Sequence, residues 1–247
     1  AADAGAIEPL VGLIKQGEAD AVKEHACGAL WRISIENKAN QAAIARAGAI
    51  PHICKLASGT DPQKVRTHTK SDEPSQASLS HPNHTSPPLL PRLASQEQCC
   101  GVLRNVTTES SAQTAVAEAG GIPPLVKLLS GGADSRKENA AGCIRNLSIP
   151  EPNRQKIVDA GGVPLLVTLI TSGNDGQKEQ AAAAIRGLAC NGSIKPTLGK
   201  AGAIKPLIAL ARTGNAGQKE QGRAALQNMV SSNDDNKREM QSLGFEL

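Results

Sequence analysis

The chain has 247 residues, a net charge of +4, six cysteines and only two aromatic residues, Trp31 and Phe245. No stretch approaches the ~20 apolar residues of a membrane span. Mild charge without stacking aromatics also argues against a nucleic-acid-binding surface. With so few aromatics, a core must be built from Ala, Leu, Ile and Val, which suits closely packed helices.

Five near-identical strings follow one another along the chain: AGAIEPLV from Ala4, AGAIPHIC from Ala47, AGGIPPLV from Ala119, AGGVPLLV from Ala160 and AGAIKPLI from Ala201. Their spacings are 43, 72, 41 and 41 residues. A fixed period of this size marks a stack of supersecondary units, none of which buries its apolar face alone. A solenoid of that kind offers a long surface rather than a catalytic pocket.

The unit around Ala160 is the most regular. It predicts a first helix over 153–160, ended by Gly161 and Gly162 because glycine takes the left-handed conformation at low cost. A second helix follows over 163–171, with Pro164 in its first turn. A turn over 172–176 leads to a third, longer helix over 177–190 with apolar residues at helical spacing.

Aligned third helices share Leu30, Leu103, Ile144, Ile185 and Leu226, each preceded six residues earlier by a glutamate: Glu24, Glu97, Glu138, Glu179 and Glu220. These glutamates are read as first-turn carboxylates that offset the dipole of their own helix.

The long second interval carries a surplus. Joining Arg66 to Glu97 restores the register, so the surplus is Thr67–Gln96, with five prolines and six serines and no helical period. It is expected to be a disordered loop between a second and a third helix. Either a natural insertion or an untranslated segment read as coding would produce it. The divisions are thus 1–66 for the first repeat and part of the second, 67–96 for the insertion, and 97–247 for the remainder. Within the insertion, the pair His81 and His84, the string PPLLP and the dipeptide Ser86-Pro87 are strings that such a composition contains by itself. Asn233–Leu247 opens a sixth unit that does not finish, leaving an array without polar caps. The start at Ala1, without Met and partway through a repeat, reads as a piece of a longer protein.

The cysteines, Cys27, Cys54, Cys99, Cys100, Cys143 and Cys190, form no CxxC pair and fall mostly at apolar helical positions. They are expected to be buried, reduced thiols of a cytoplasmic protein, or one shared between cytoplasm and nucleus. No catalytic, metal or cofactor constellation recurs at a workable spacing, and none is expected.

The combined pattern AG(A/G)(I/V)xPLVxLL and EQAAxALRNLS resembles the armadillo repeat over the whole chain except Thr67–Gln96. It is similar to plant, oomycete and fungal arrays such as vacuolar-anchor armadillo proteins and the armadillo regions of U-box ligases. The resemblance implies an all-α, right-handed superhelical solenoid of three-helix repeats, about five of them here. It also implies a non-enzymatic scaffold whose third helices line a concave groove for an extended or helical segment of a partner protein. A substrate-binding region of a U-box ligase is the alternative.

The groove residues follow by position. After the aligned Leu/Ile come Trp31-Arg32, Arg104-Asn105, Arg145-Asn146, Arg186-Gly187 and Gln227-Asn228. The family's peptide-binding Asn is matched by Asn105, Asn146 and Asn228, while Arg32 and Gly187 depart from it. One carboxamide donates and accepts together, as a peptide backbone requires. Gln98, Asn139, Gln180 and Gln221, with His25, give a second polar row. Arg104, Arg145 and Arg186 form a basic row suited to an acidic partner, unless neighbouring glutamates neutralise it. Importin-α-like arrays carry a Trp four residues before the Asn. Here that position holds Gly28, Gly101, Gly142, Ala183 and Ala224, which disfavours nuclear transport and leaves a small-residue floor open to a partner.

Overall fold

The computed structural model describes residues 4–17, 19–59 and 89–247. The part of the expected insertion at 67–88, with its histidine pair and the Ser86-Pro87 dipeptide, lies outside them. Among the described residues there are fifteen helices and no strand, and no helix is long and apolar enough to cross a membrane.

The helices repeat in threes. Repeat one holds α1 (Ala4–Gln16) and α2 (Asp20–Ser34). Repeat two holds α3 (Lys38–Arg46), α4 (Ile50–Ser58) and α5 (Leu89–Val106). Repeat three is α6 (Ser110–Glu118), α7 (Ile122–Lys127) and α8 (Asp134–Leu147), and repeat four is α9 (Glu151–Asp159), α10 (Gly162–Ser172) and α11 (Asp175–Leu188). Repeat five is α12 (Lys195–Lys200), α13 (Ile204–Thr213) and α14 (Ala216–Val230), followed by α15 (Asp234–Ser242). Third helices pack in succession, α2 on α5, α8, α11 and α14, and second helices stack beside them in the same order.

The glycine pair does what its chemistry allows. Gly161 has φ of 78°, a left-handed conformation that lets the chain turn from α9 into α10. Gly162 is needed for closeness instead: a methyl carbon there would lie 2.9 Å from Cγ2 of Ile157. Two of the third helices start on polar caps. Asn174 and Gln177 form a capping box at α11, and Asn215 and Gln218 form the same box at α14. The same glutamines also tie repeats together, since Gln177 Nε2 donates to the Asp134 carbonyl at 2.9 Å and Gln218 Nε2 to that of Asp175 at 3.1 Å. Gln177 also donates to the Asp134 carboxylate; this bond, with help from Lys137, holds that carboxyl below its ordinary pKa.

The aligned residues Leu30, Leu103, Ile144, Ile185 and Leu226 are all fully buried in one continuous apolar cluster.

Two expectations are corrected. First, α5 begins at Leu89, so the end of the expected loop is helical. Gln96 belongs to the framework: its Nε2 donates to the Ala57 carbonyl at 3.3 Å, and its Oε1 accepts from Arg136 at 2.8 Å. Second, α8 and α11 begin at Asp134 and Asp175, which supply the first-turn carboxylates. Glu138 and Glu179 stand in the second turn of their own helices. The last residues fold back onto repeat five. After α15, Gly244 turns with φ of 65° and Phe245 folds in to 5% exposure. Its ring is flanked by the guanidinium groups of Arg212 and Arg223 at 5.5 and 5.9 Å from its centre.

Candidate functional site: the third-helix face

Side-by-side third helices bring like positions of successive repeats together. The arginine row lands on the amide row of the next repeat. Arg104 Nη1 donates to Asn139 Oδ1 at 2.9 Å, Arg145 Nη1 to Gln180 Oε1 at 3.1 Å, and Arg186 Nη1 to Gln221 Oε1 at 3.1 Å. Asn139, Gln180 and Gln221 are buried. The second polar row therefore does not face outward in these repeats; it holds the arginines in place. A guanidinium carries five N–H donors, so one bond to an amide leaves Arg145 and Arg186, both exposed, with donors directed to solvent.

Neutralisation by glutamate is confined to one member of the row. Arg104 Nη1 lies 3.5 Å from Glu138 Oε1, and both side chains are about one-third exposed. Among the described residues no ion pair joins Arg145 or Arg186 to a carboxylate.

The glutamates point instead along the stack. A methyl carbon on Gly176 would lie 2.4 Å from Glu138 Oε2, and one on Gly217 would lie 2.4 Å from Glu179 Oε2. These glycines sit in the first turns of α11 and α14. Each carboxylate thus faces the positive end of the next repeat's third helix, where it is stabilising. Spacing within one repeat could not show this, because the partner belongs to the following one.

The asparagines are half-buried and use their Nδ2 groups on the preceding repeat. Asn105 donates to Ser34 Oγ at 2.9 Å. Asn146 donates to the Arg104 carbonyl at 3.1 Å and to Thr107 Oγ1 at 3.2 Å. Asn228 donates to the Arg186 carbonyl at 3.1 Å. At the gap in this row, Ser148 occupies the space: a methyl carbon on Gly187 would lie 2.0 Å from Ser148 Oγ. Arg32 is exposed at the other departure.

At Gly101 and Gly142 the small-residue floor is filled, against the expectation that it lies open to a partner. There the residue after the aligned Leu of the preceding repeat lies across it. Methyl carbon on Gly101 would come within 2.4–2.6 Å of the Trp31 ring, and on Gly142 within 2.8 Å of Arg104 Nε. Trp31 is half-buried and packs against the core. Glycine there makes room for an indole or a guanidinium of the neighbouring repeat.

Cysteine chemistry is quiet on this face. Cys27, Cys54, Cys99, Cys100 and Cys143 are buried and unbridged, whereas Cys190 is exposed, against the expectation that burial would be general. Burial pushes the Cys54 and Cys100 thiols up to about 12. A hydrogen bond with Cys27 together with burial raises Cys99, and burial raises Cys143.

Comparison with known proteins agrees with this fold. Residues 1–35, 112–149 and 150–190 match the armadillo/beta-catenin-like repeat. No curated protein sequence matches the chain. A crystal structure of an engineered protein is similar at 27% identity and a TM-score of 0.72, covering 93% of this chain and 49% of that one, so this chain spans about half its length. A computationally designed armadillo repeat protein for modular peptide recognition is similar at 25% identity and a TM-score of 0.69, over 91% of this chain and 82% of that one. A structure concerning the interaction between cadherin and beta-catenin has the same fold, at 18% identity and a TM-score of 0.70, over 92% of this chain and 39% of that one. The chain is an armadillo-type solenoid.

Proposed function

We propose that this armadillo solenoid is a non-enzymatic protein-binding scaffold that takes an extended or helical, acidic segment of a partner along its third-helix face. The observation that carries the reading is the Arg–amide ladder. Buried Gln180 and Gln221 fix Arg145 and Arg186 on the surface without neutralising them. Fixed, unpaired guanidinium groups at one per repeat are suited to carboxylates at matching intervals on a partner.

The asparagines contribute differently from the sequence reading. With Nδ2 engaged between repeats, Asn105 and Asn146 offer Oδ1 to a partner's backbone N–H, and Asn228 offers the same at the far end. Support also comes from structural neighbours: one was designed for peptide recognition, and another concerns the interaction of cadherin with beta-catenin.

The experiment is affinity capture with the native chain and with an Arg145→Glu/Arg186→Glu variant of equal melting temperature, followed by mass spectrometry. Proteins held by the native chain and lost by the variant, with acidic segments protected from proteolysis in the complex, are the expected result. Identical capture by both chains would contradict the reading.

A further inference from the structure

Two of the buried, unbridged cysteines meet. Cys27 of α2 and Cys99 of α5 face each other across the junction of repeats one and two, where Cys99 Sγ donates to Cys27 Sγ at 3.6 Å. Both are fully buried. Cys143 does not pair in this way; its Sγ donates to the Cys100 carbonyl at 3.4 Å. A disulfide holds its sulfurs about 2.05 Å apart, so the pair is about 1.5 Å short of a covalent bond. Turning the two side chains about their Cα–Cβ bonds supplies a movement of that size.

The same junction lacks a tie that the three later ones have. Arg104, Arg145 and Arg186 each bond an amide of the following repeat. Here the arginine position holds Trp31, and Gln98, at the amide position, keeps a buried Oε1 without a hydrogen-bond donor. An unpaired buried acceptor costs free energy, which favours local opening between α2 and α5. While the junction is closed the pair is silent. The hydrogen bond with Cys27, and then burial, hold the Cys99 thiol well above its ordinary pKa, and a protonated thiol is not the reactive form.

We infer that Cys27 and Cys99 form a redox latch: an oxidant of the peroxide class joins them in a disulfide that fastens repeat one to repeat two, and a dithiol reductant releases it. When α2 lifts from α5, one thiolate attacks the peroxide. The O–O bond breaks, the sulfur becomes a sulfenic acid, and the other oxygen leaves as water after taking up a proton. As the junction recloses, the second sulfur attacks the sulfenic sulfur. The S–O bond breaks, the S–S bond forms, and the second thiol's proton leaves with that oxygen as water. The two thiols together lose two electrons, and the peroxide is reduced to two waters. The new bond joins residues 72 apart in sequence, so the loop it closes includes the whole stretch between α4 and α5. Long loops gain most from such closure. The latch is independent of what the third-helix face binds.

The test exposes the full chain to hydrogen peroxide in a Cys190→Ser background, which keeps exposed thiols from joining two molecules. It reads intact mass, a non-reducing peptide map and hydrogen exchange. The chain is expected to lose two hydrogen atoms slowly and to yield a linked pair of peptides containing Cys27 and Cys99, reversed by dithiothreitol. Exchange in α2 should slow by at least about tenfold, because the disulfide restricts the opened state. Cys27→Ala and Cys99→Ala in the same background should show neither the link nor slower exchange. Emptying a buried site can itself loosen the junction, so each variant is compared with itself before and after peroxide. Peroxide that oxidises Cys190 of the native chain fully, yet leaves Cys27 and Cys99 free, takes them singly to sulfinic acid or links another pair, would overturn the latch. So would a link between Cys27 and Cys99 that leaves exchange in α2 unchanged.

Discussion

The carboxylate of Glu179 lies against Gly217, at the start of the next repeat's third helix, so close that a methyl carbon on the glycine would sit 2.4 Å from Oε2. The same relation joins Glu138 to Gly176. Each carboxylate helps to hold two repeats in register through the helix dipole. Glu220 occupies the corresponding position in α14, and no third helix follows it among the described residues. It is exposed, and its Oε1 accepts from Gln221. Glu179→Gln should therefore lower stability by about 0.3–1 kcal/mol at low ionic strength, an effect that shrinks as salt rises. Glu220→Gln should cost less. Denaturant melts at two salt concentrations check the pair, and equal losses would mean that the glutamates serve only their own helices.

Gly101 is kept bare by Trp31. Replacing it with Ala puts a carbon within 2.4–2.6 Å of a rigid indole, and the ring must move. Overpacking of this kind costs about 1–3 kcal/mol. Gly101→Ala should lower the melting temperature and shift Trp31 emission to the red as the ring is pushed toward solvent. An unchanged spectrum would place the indole elsewhere.

Thiol reactivity should separate one cysteine from five. The buried thiols are inaccessible, and at pH 8 Cys54 and Cys100 are also protonated, because burial lifts them to about 12. N-ethylmaleimide should label Cys190 rapidly in the folded chain, and all six after denaturation. Rapid labelling of a second site would show that the stack opens locally.

Phe245 closes the last repeat. Its ring is almost fully buried beside Arg212 and Arg223, and Arg212 Nη2 donates to the Gly244 carbonyl at 2.6 Å. Phe245→Ala should cost about 3–5 kcal/mol, the range for emptying a buried Phe site, and should raise hydrogen exchange in α14 and α15. Loss confined to α15 alone would show that the ring does not brace the third helix.

Most of the fold could be read from the sequence because its information is local and repeated. The left-handed glycine at Gly161, the proline in the first turn of α10 and the apolar spacing of α11 all lie within one unit. What could not be read lies between units. The period aligns Arg145 with Arg186, but not with Gln180, whose burial turns an expected contact row into a support for the arginines. Glu179 faces the next repeat's third helix rather than the start of its own for the same reason. The start of α5 at Leu89 escaped because register fixes Glu97 and says nothing about how far a helix runs before it.

On the proposed reading, Arg145 and Arg186 present unneutralised charge to an acidic partner. The most direct measurement is the affinity of a fluorescein-labelled octaglutamate peptide for the native chain and for Arg145→Glu/Arg186→Glu across a salt series. The account predicts binding to the native chain that weakens steeply with salt, and loss of at least about tenfold in the variant with most of the salt dependence gone. Equal affinity and equal salt dependence in the two chains would contradict it.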